Sequence, residues 1–448
     1  MKIKLISPQM SMRPMDSDFK RFMSMPLSLC LLKSLTPSEH FVYVEDENIS
    51  PINFEDSPDL VGITVNVDTA HKAYRIADIY RKMGIPVVLG GIHPTVNPEE
   101  CLNHADAICA GEVEYIWPEL LKDLSAGRLK PIYRNNKVVD LTHSPIPDRS
   151  ALPLGNYLYS NILYTSRGCP YRCEFCYNSA DLSHNIYRNR PINSILEEIE
   201  SLNSRHVMFI DDNFIGNPAW TNEFLDHIKP LELKWNAAVS SNIINTPDLI
   251  DKMKETGCQS LFIGFETMNT NNLKAMNKRQ NNVDNYEKLI NMLHERNIMI
   301  NASLVFGFDE DRSIVFKETL DWLVTHKIET MTAHILTPYP GTVFYQKMLE
   351  QNRIIDFDQS HFNTSHVVFK PSGMTPEELY HGYLWIYDEF YSIKNILKRL
   401  PSNHNRRNSY LLFNLGYRKF GKITSKIARH TRMNAFGNLA SRLSYQIK

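Results

Sequence analysis

The chain has 448 residues, 43% apolar and 22% charged, with a formal net charge of −1. That length holds two or three domains with their own cores, and the composition excludes a disordered chain. No run of 18 apolar residues marks a membrane span. The opening "MKIKLISP" has neither the apolar core nor the cleavage site of a signal peptide. Seven cysteines, an odd number in a long chain, argue against a secreted disulfide scaffold and for a reducing, cytoplasmic location.

Residues 1–135 alternate short apolar runs with helical patterns. "KIKLIS", "FVYVED", "LVGITVNV", "IPVVLGG" and "ADAICAG" read as strands. "AHKAYRIADIYRKMG" reads as a helix stopped by Gly84. Strand–helix alternation with continuous apolar strands predicts a doubly wound, Rossmann-like parallel sheet. Residues 136–160 are rich in proline and read as a linker.

A second alternation fills residues 161–345. Six strand candidates, from "NILYTS" to "TMTAHILTPY", are separated by helical segments such as "SILEEIESLN" and "DNYEKLINMLHERN". Six βα units suit an incomplete parallel barrel, whose chemistry gathers where strands end. Residues 346–448 read as helical, with a cap at Thr375 and Pro376 next. After Glu389 there are thirteen Lys or Arg and no Asp or Glu. Ile423 and Ile427, and Leu439 and Leu443, are spaced to share helix faces in this basic tail. Such a tail either docks on anionic lipid or packs its apolar face on the protein. RNA binding has no motif to support it, and no nucleic acid is expected.

Cys169, Cys173 and Cys176 lie within "CPYRCEFC", just after the first strand of the second alternation. Three thiolates can hold three irons of a [4Fe-4S] cluster and leave the fourth iron open, whereas structural clusters and zinc sites usually use four ligands. A zinc site completed by His184 or a distant residue is the competing reading.

The Cys-x3-Cys-x2-Cys spacing, with Phe175 before the last cysteine, resembles the signature of the radical S-adenosylmethionine (SAM) superfamily. That resemblance implies that the open iron chelates SAM, and that one electron cleaves SAM to a 5′-deoxyadenosyl radical. An electron donor such as flavodoxin or ferredoxin is implied as a partner. It also implies the partial barrel read above. By the same resemblance Asp211, Asp212 and Asn213 stand where the superfamily usually has Gly-Gly-Glu at the SAM amino group. Glu266 would face the ribose, and Gly307 and Glu310 keep part of a further SAM-contacting pattern. Each acid can equally be a solvated strand end.

A doubly wound domain ahead of this barrel resembles the cobalamin-binding radical SAM family, and the resemblance spans nearly the whole chain. Gly90 and Gly91 end a strand at the ligand-binding edge, where glycines would let backbone approach a corrin; a double glycine can also be only a tight turn. The Asp-x-His-x-x-Gly cobalt-ligating loop of many cobalamin proteins is absent: the matching region reads "YVEDENISP", and His93 is expected to shape a loop. A domain that has lost cobalamin stays open. The implied reaction is methylation of an unactivated carbon of a lipid or secondary metabolite. The alternatives are radical cyclisation, dehydration or rearrangement without methyl transfer, and a non-catalytic cofactor-binding protein. Methylthiolation is disfavoured, because Cys30, Cys101, Cys109 and Cys258 are scattered and read as buried thiols. Tyr339 and Pro340 either line a pocket mouth or make a turn.

Overall fold

Two six-stranded parallel sheets carry the chain. The computed structural model describes residues 1–16, 18–180, 186–202, 204–401 and 404–417. The first sheet comprises β1 (Lys2–Ser7), β2 (Phe41–Asp46), β3 (Leu60–Thr64), β4 (Val87–Gly90), β5 (Ala107–Ala110) and β6 (Ile132–Arg134). Its order is β2-β1-β3-β4-β5-β6. The strand sequence changes direction at β1/β3, where open α/β sheets bind ligands. β6 was not among the expected strands: "IYR" is too short for any periodicity and sits beside Pro131.

The second sheet comprises β7 (Ile162–Leu163), β10 (His206–Phe209), β11 (Lys234–Ser240), β12 (Cys258–Glu266), β13 (Met299–Phe306) and β14 (Thr330–Ile335). Between β7 and β10 lies a two-residue ribbon, β8 (Ser166–Arg167) with β9 (Arg188–Asn189). The order β14-β13-β12-β11-β10-β7 follows the sequence, and β14 does not pair with β7. The sheet is therefore an open six-strand barrel, as expected. Its outer face buries one apolar core with the covering helices, including Phe209, Phe214, Trp235, Phe265 and Leu304. The linker residues form only three short 3-10 turns.

Each free edge is completed by side chains. Tyr387 and Tyr391 lie one helical turn apart on the helix Pro376–Phe390 and its C-cap. The Tyr387 hydroxyl accepts from Ala333 N (2.9 Å) and donates to Ala333 O (3.0 Å). The Tyr391 hydroxyl does the same at Met331 (3.2 and 2.8 Å). Four residues of helix and two of strand both advance about 6 Å, so the two ladders stay in step. Ile335 N donates to Thr364 O (2.8 Å). On the β7 edge, Arg149 donates to Ile162 O (2.7 Å) and Arg190 to Tyr164 O (2.9 Å). The segment after β1 crosses the gap between these edges: Tyr383 meets Met15 at one end, and Ser24 bridges Tyr159 at the other.

The helix His404–Tyr417 belongs to the fold, because Arg406 pairs with Glu329 (2.6 Å) and the Asn414 side chain donates to Glu329 O (2.9 Å). The two apolar pairs expected in the basic tail, from Ile423 to Leu443, lie outside the described residues. Among the described residues no helix is long and apolar enough to cross a membrane.

In Tyr387→Phe/Tyr391→Phe, each lost hydroxyl should cost about 1 kcal/mol. Amide exchange at Met331 and Ala333 should then rise roughly five-fold, with helical circular dichroism unchanged. Unchanged protection at both amides would show that the tyrosines do not hold this edge.

Candidate active site

The cysteine loop runs out of β8 and is pinned by three hydrogen bonds to two segments. Glu174 N donates to Met276 O (3.0 Å), Phe344 N donates to Glu174 O (3.0 Å), and Asn277 Nδ2 donates to Arg172 O (2.9 Å). Cys173 is buried, and Cys169 and Cys176 are half-buried. Burial pushes the free thiols up, Cys169 to about 11 and Cys176 to about 12. Among the described residues no three His, Cys, Asp or Glu side chains converge as a single ion requires. His184, which the zinc reading needs, lies outside the described residues. Three thiols on one loop fit a polynuclear cluster, in which each thiolate binds its own iron.

Lys278 and Glu266 form a buried ion pair beside the loop. Glu266 adopts φ +67° at a register shift in the β12/β13 ladder; such irregularities re-aim a side chain, and a left-handed non-glycine residue costs about 1–3 kcal/mol. Burial opposes the charge of Lys278, but Glu266 and the thiols of Cys173 and Cys176 more than offset it and hold its pKa above the ordinary value. The Lys278 ammonium lies 5.8 Å from the centre of the Phe175 ring. Lys278 was missed in the sequence, since "MNKRQNN" carries no motif. The Tyr177 ring, next to Cys176, packs at 4.7 Å on Tyr339. The "TPYPGT" loop thus touches the cysteine loop.

The three residues ending β10 separate. Asp211 is turned inward and buried: Thr165 N (3.0 Å), Thr165 Oγ1 (2.9 Å), Ser166 N (2.5 Å) and the Ser166 hydroxyl all donate to its Oδ1. These contacts fix the strand that leads to the cysteines. Asp212 opens to solvent but is walled by enough protein to raise its carboxyl pKa, and its charge raises the thiols of Cys169 and Cys176. Asn213 is buried; its Oδ1 accepts from Ser240 N (3.2 Å), and its Nδ2 donor has no partner.

Gly307 and Glu310 also make contacts within the fold. A Cβ on Gly307 (φ +103°) would meet Leu379 at 2.8 Å, so this glycine serves helix packing. Glu310 is exposed and accepts from Asn269 and Asn271, both at 3.1 Å.

A cavity of about 330 Å3 lies at the carboxyl edge of the first sheet and is faced by Tyr164, Arg167 and Ile210 of the second. Gly62, Gly90, Gly91 and Gly111 line it, and no histidine does. Gly90 has room for a Cβ, 3.5 Å from that of Cys109. Gly91 does not: at φ +119° its Cβ would lie 2.7 Å from Val65 O, so the backbone of the fold dictates this glycine. The cradle of small residues fits a flat ligand. His93 is fully buried with its Nε2 2.9 Å from the Tyr74 hydroxyl, and it lies in the short helix Ile92–Val96 rather than in the expected loop. Arg167 joins the two sites. It pairs with Glu114 (2.6 Å) and Glu112 (3.1 Å), both lining the cavity, and stands two residues before Cys169.

The sequence model of the Radical SAM superfamily matches residues 163–323, and that of the B12 binding domain matches residues 41–121. The bacteriochlorophyllide d C-12(1)-methyltransferase of Chlorobaculum tepidum is 32% identical over 84% of this chain and 85% of its own. The chain belongs to the cobalamin-binding radical SAM family. An anaerobic magnesium-protoporphyrin IX monomethyl ester cyclase of Cereibacter sphaeroides is 25% identical over 83% of this chain and 67% of its own. The fold matches that of the radical SAM methyltransferase TsrM from Kitasatospora setae, solved with cobalamin and a [4Fe-4S] cluster. Its TM-score is 0.67 at 17% identity, covering 97% of this chain and 99% of that one. This radical SAM enzyme therefore has its B12-binding domain ahead of its open barrel.

Burial raises the Asp211 carboxyl from 3.8 to about 6, against the pull of its donors. Between those values the native state holds a proton that the unfolded chain has released. Stability from this group should therefore fall as pH rises from about 4 to about 6, by roughly 3 kcal/mol at 1.36 kcal/mol per unit. Urea midpoints across this range should show a shallower fall in Asp211→Asn; an identical slope would assign the titration elsewhere.

Proposed function

We propose that this enzyme methylates an unactivated carbon of a small molecule, a lipid or secondary metabolite. The observation that carries the reading is the Arg167 link, which ties the cavity of the B12-binding domain to the strand that presents the three cysteines. Cys169, Cys173 and Cys176 would hold the cluster, and Gly90 and its neighbours would cradle cobalamin. When bound, the cluster with SAM supplies hydrogen-atom abstraction and cobalamin supplies the methyl group. The residues of the chain bind, orient and enclose. Asp212 and the unpartnered amide of Asn213 would orient the polar end of SAM. Glu266, fixed by Lys278, would take a hydroxyl of it, with Phe175 beside them. Tyr177 and Tyr339 would wall the pocket against water. Glu114 and Glu112 hold Arg167 in place. No lining residue offers cobalt an imidazole.

We take residues 1–135 as the cobalamin domain, 136–160 as the linker, 161–345 as the barrel and 346–448 as the C-terminal region. The end of β6 at Arg134 and the start of β7 at Ile162 support these limits. Seven free cysteines support a reducing cytoplasm. The relative that is a cyclase supports a second reading, radical chemistry without methyl transfer. Product mass separates the two, since a gain of one methylene means methylation.

Two variants test the cofactor sites in one experiment. Cys173→Ala, reconstituted anaerobically, should lose the absorbance of the cluster and SAM cleavage while still taking up hydroxocobalamin. Gly90→Phe should keep the cluster and lose cobalamin colour. A Cys173→Ala protein that keeps its cluster would refute the site.

Residues 418–448 carry eight Lys or Arg and no acid. We infer that they hold the enzyme on anionic membrane, each charge near the surface adding about 1 kcal/mol. The chain should be cut after Tyr417, since the preceding helix is part of the fold. Full-length protein should float with phosphatidylglycerol vesicles at low salt, and the truncated protein should not. Equal behaviour of the two would remove the idea.

A further inference from the structure

The inner face of the open barrel keeps accessible surface. On β11, β12 and β14, residues such as Trp235, Ile263 and Ala333 are buried in the outer core, while Ala238, Phe262, Thr332 and His334 on the other face stay half-exposed. Parallel barrels usually fill this space with layers of their own side chains, so the half-exposed face marks a lumen with room for a molecule. The segment after β1 crosses the open side of that lumen and carries charge to it. The Asp16 carboxylate pairs with Arg13 (3.1 Å) and with Lys20 (2.7 Å), and among the described residues neither cation has a second ion pair. Arg13 spends Nε and Nη2 on Asp16, and Lys20 spends one N–H. Among the described residues Arg13 Nη1 and the rest of the Lys20 ammonium have no partner.

Burial, followed by the charges of Arg13 and Lys20, pushes the His334 imidazole down to about 3, so both cations stand near this lumen residue. The charges of Asp68, Arg13 and Cys176 all act on the Tyr339 hydroxyl, and the Tyr339 ring packs 4.7 Å from Tyr177. The charged set therefore lies within electrostatic reach of the cysteine loop. Burial and the charge of Arg13 lower the Lys20 pKa, although Asp16 and Asp68 oppose them, and burial raises the Asp68 carboxyl itself. The set is one anion short. We propose that a carboxylate of the substrate completes it, and that Arg13 and Lys20 select an acidic small molecule over a neutral one. The inference rests on the proposed function and narrows its substrate to a carboxylic acid. Two cations on one carboxylate leave a single positive charge, which suits a monoanion. Hydrogen bonds between charged groups are about twice as strong as neutral ones, and a neutral molecule in the same place would leave the charge unmatched.

The probe is a small-molecule extract of source cells that lack the enzyme, used in two portions. One is untreated, and in the other carbodiimide and methylamine cap every carboxylate as a neutral amide. Full-length enzyme carrying cluster and cobalamin, reduced with titanium(III) citrate, is incubated anaerobically with each portion and with SAM labelled in its methyl group. Anion exchange then separates acidic from neutral products. Wild type should label an acidic product in the untreated portion, and capping should lower the label roughly ten-fold or more. Arg13→Gln/Lys20→Gln should label the untreated portion on the order of ten-fold less than wild type and should treat the two portions alike. Its cluster absorbance and cobalamin colour should match those of wild type. Lys20→Arg, which keeps the charge, should recover most of the label. The proposal is overturned if wild type labels the capped portion as well as the untreated one, or if the product is neutral; either result leaves the methylation reading standing. It is equally overturned if the double variant labels at the wild-type level. A wild type that cleaves SAM and labels neither portion would instead end the methylation reading, and this inference with it.

Discussion

An open parallel sheet leaves two rows of backbone groups without strand partners, and in this enzyme both rows are buried. Buried peptide groups must be paired. The chain meets this demand with side chains rather than with barrel closure. On the β14 edge the tyrosine hydroxyls act as both donor and acceptor, as a further strand would. On the β7 edge two arginines do half of that work, donating to carbonyls. Glu198 makes the arginines affordable: fully buried, it accepts from Arg149 and Arg190, each at 2.5 Å. Removing Glu198 would leave two buried cations with one anion fewer, a loss of the kind that costs about 3–5 kcal/mol.

The β7 edge matters for chemistry because it leads directly to the cysteines. Tyr164 O is held by Arg190, Thr165 and Ser166 by Asp211, and Arg167 by Glu112 and Glu114. Four successive residues before the cysteine loop are thus fixed by four different contacts. Arg188 adds a second cation on Glu112 (2.8 Å) from the returning strand of the ribbon. The loop that must present three thiols in one geometry is held at its base from both domains.

Much of this was legible in the sequence. The strands β1 to β5 and β10 to β14 lie within apolar-rich segments of strand length, and the cap at Thr375 forms with its reciprocal Glu378 contact. The cysteine spacing named the loop. What could not be read was the partner of each polar residue. Asp211 accepts from the neighbouring strand, Gly307 lies against Leu379 of the helix Pro376–Phe390, and Glu310 accepts from Asn269 and Asn271. Gly91 lines the cavity and is also required by the close approach of Val65, which the sequence does not reveal. Lys278, Gln280 and Arg167 carried no local pattern, because their meaning lies in contacts with residues from 12 to 107 positions away. β6 was hidden by its three-residue length.

The departure from Gly-Gly-Glu at the end of β10 has a physical consequence. These three residues lie beyond β10, with Asp212 in a bend, and they do not face the same way. Asp211 goes to the interior and Asn213 is buried against Ser240, while Asp212 opens toward the thiols. A glycine at either of the first two positions would do less here. Without Asp211, the backbone N–H groups of Thr165 and Ser166 and both hydroxyls would lose their acceptor, and the base of the cysteine loop would loosen. The two acids therefore divide the work. The inner one fixes the strand, and the outer one is left as the charged group of this segment that stands near the cysteines.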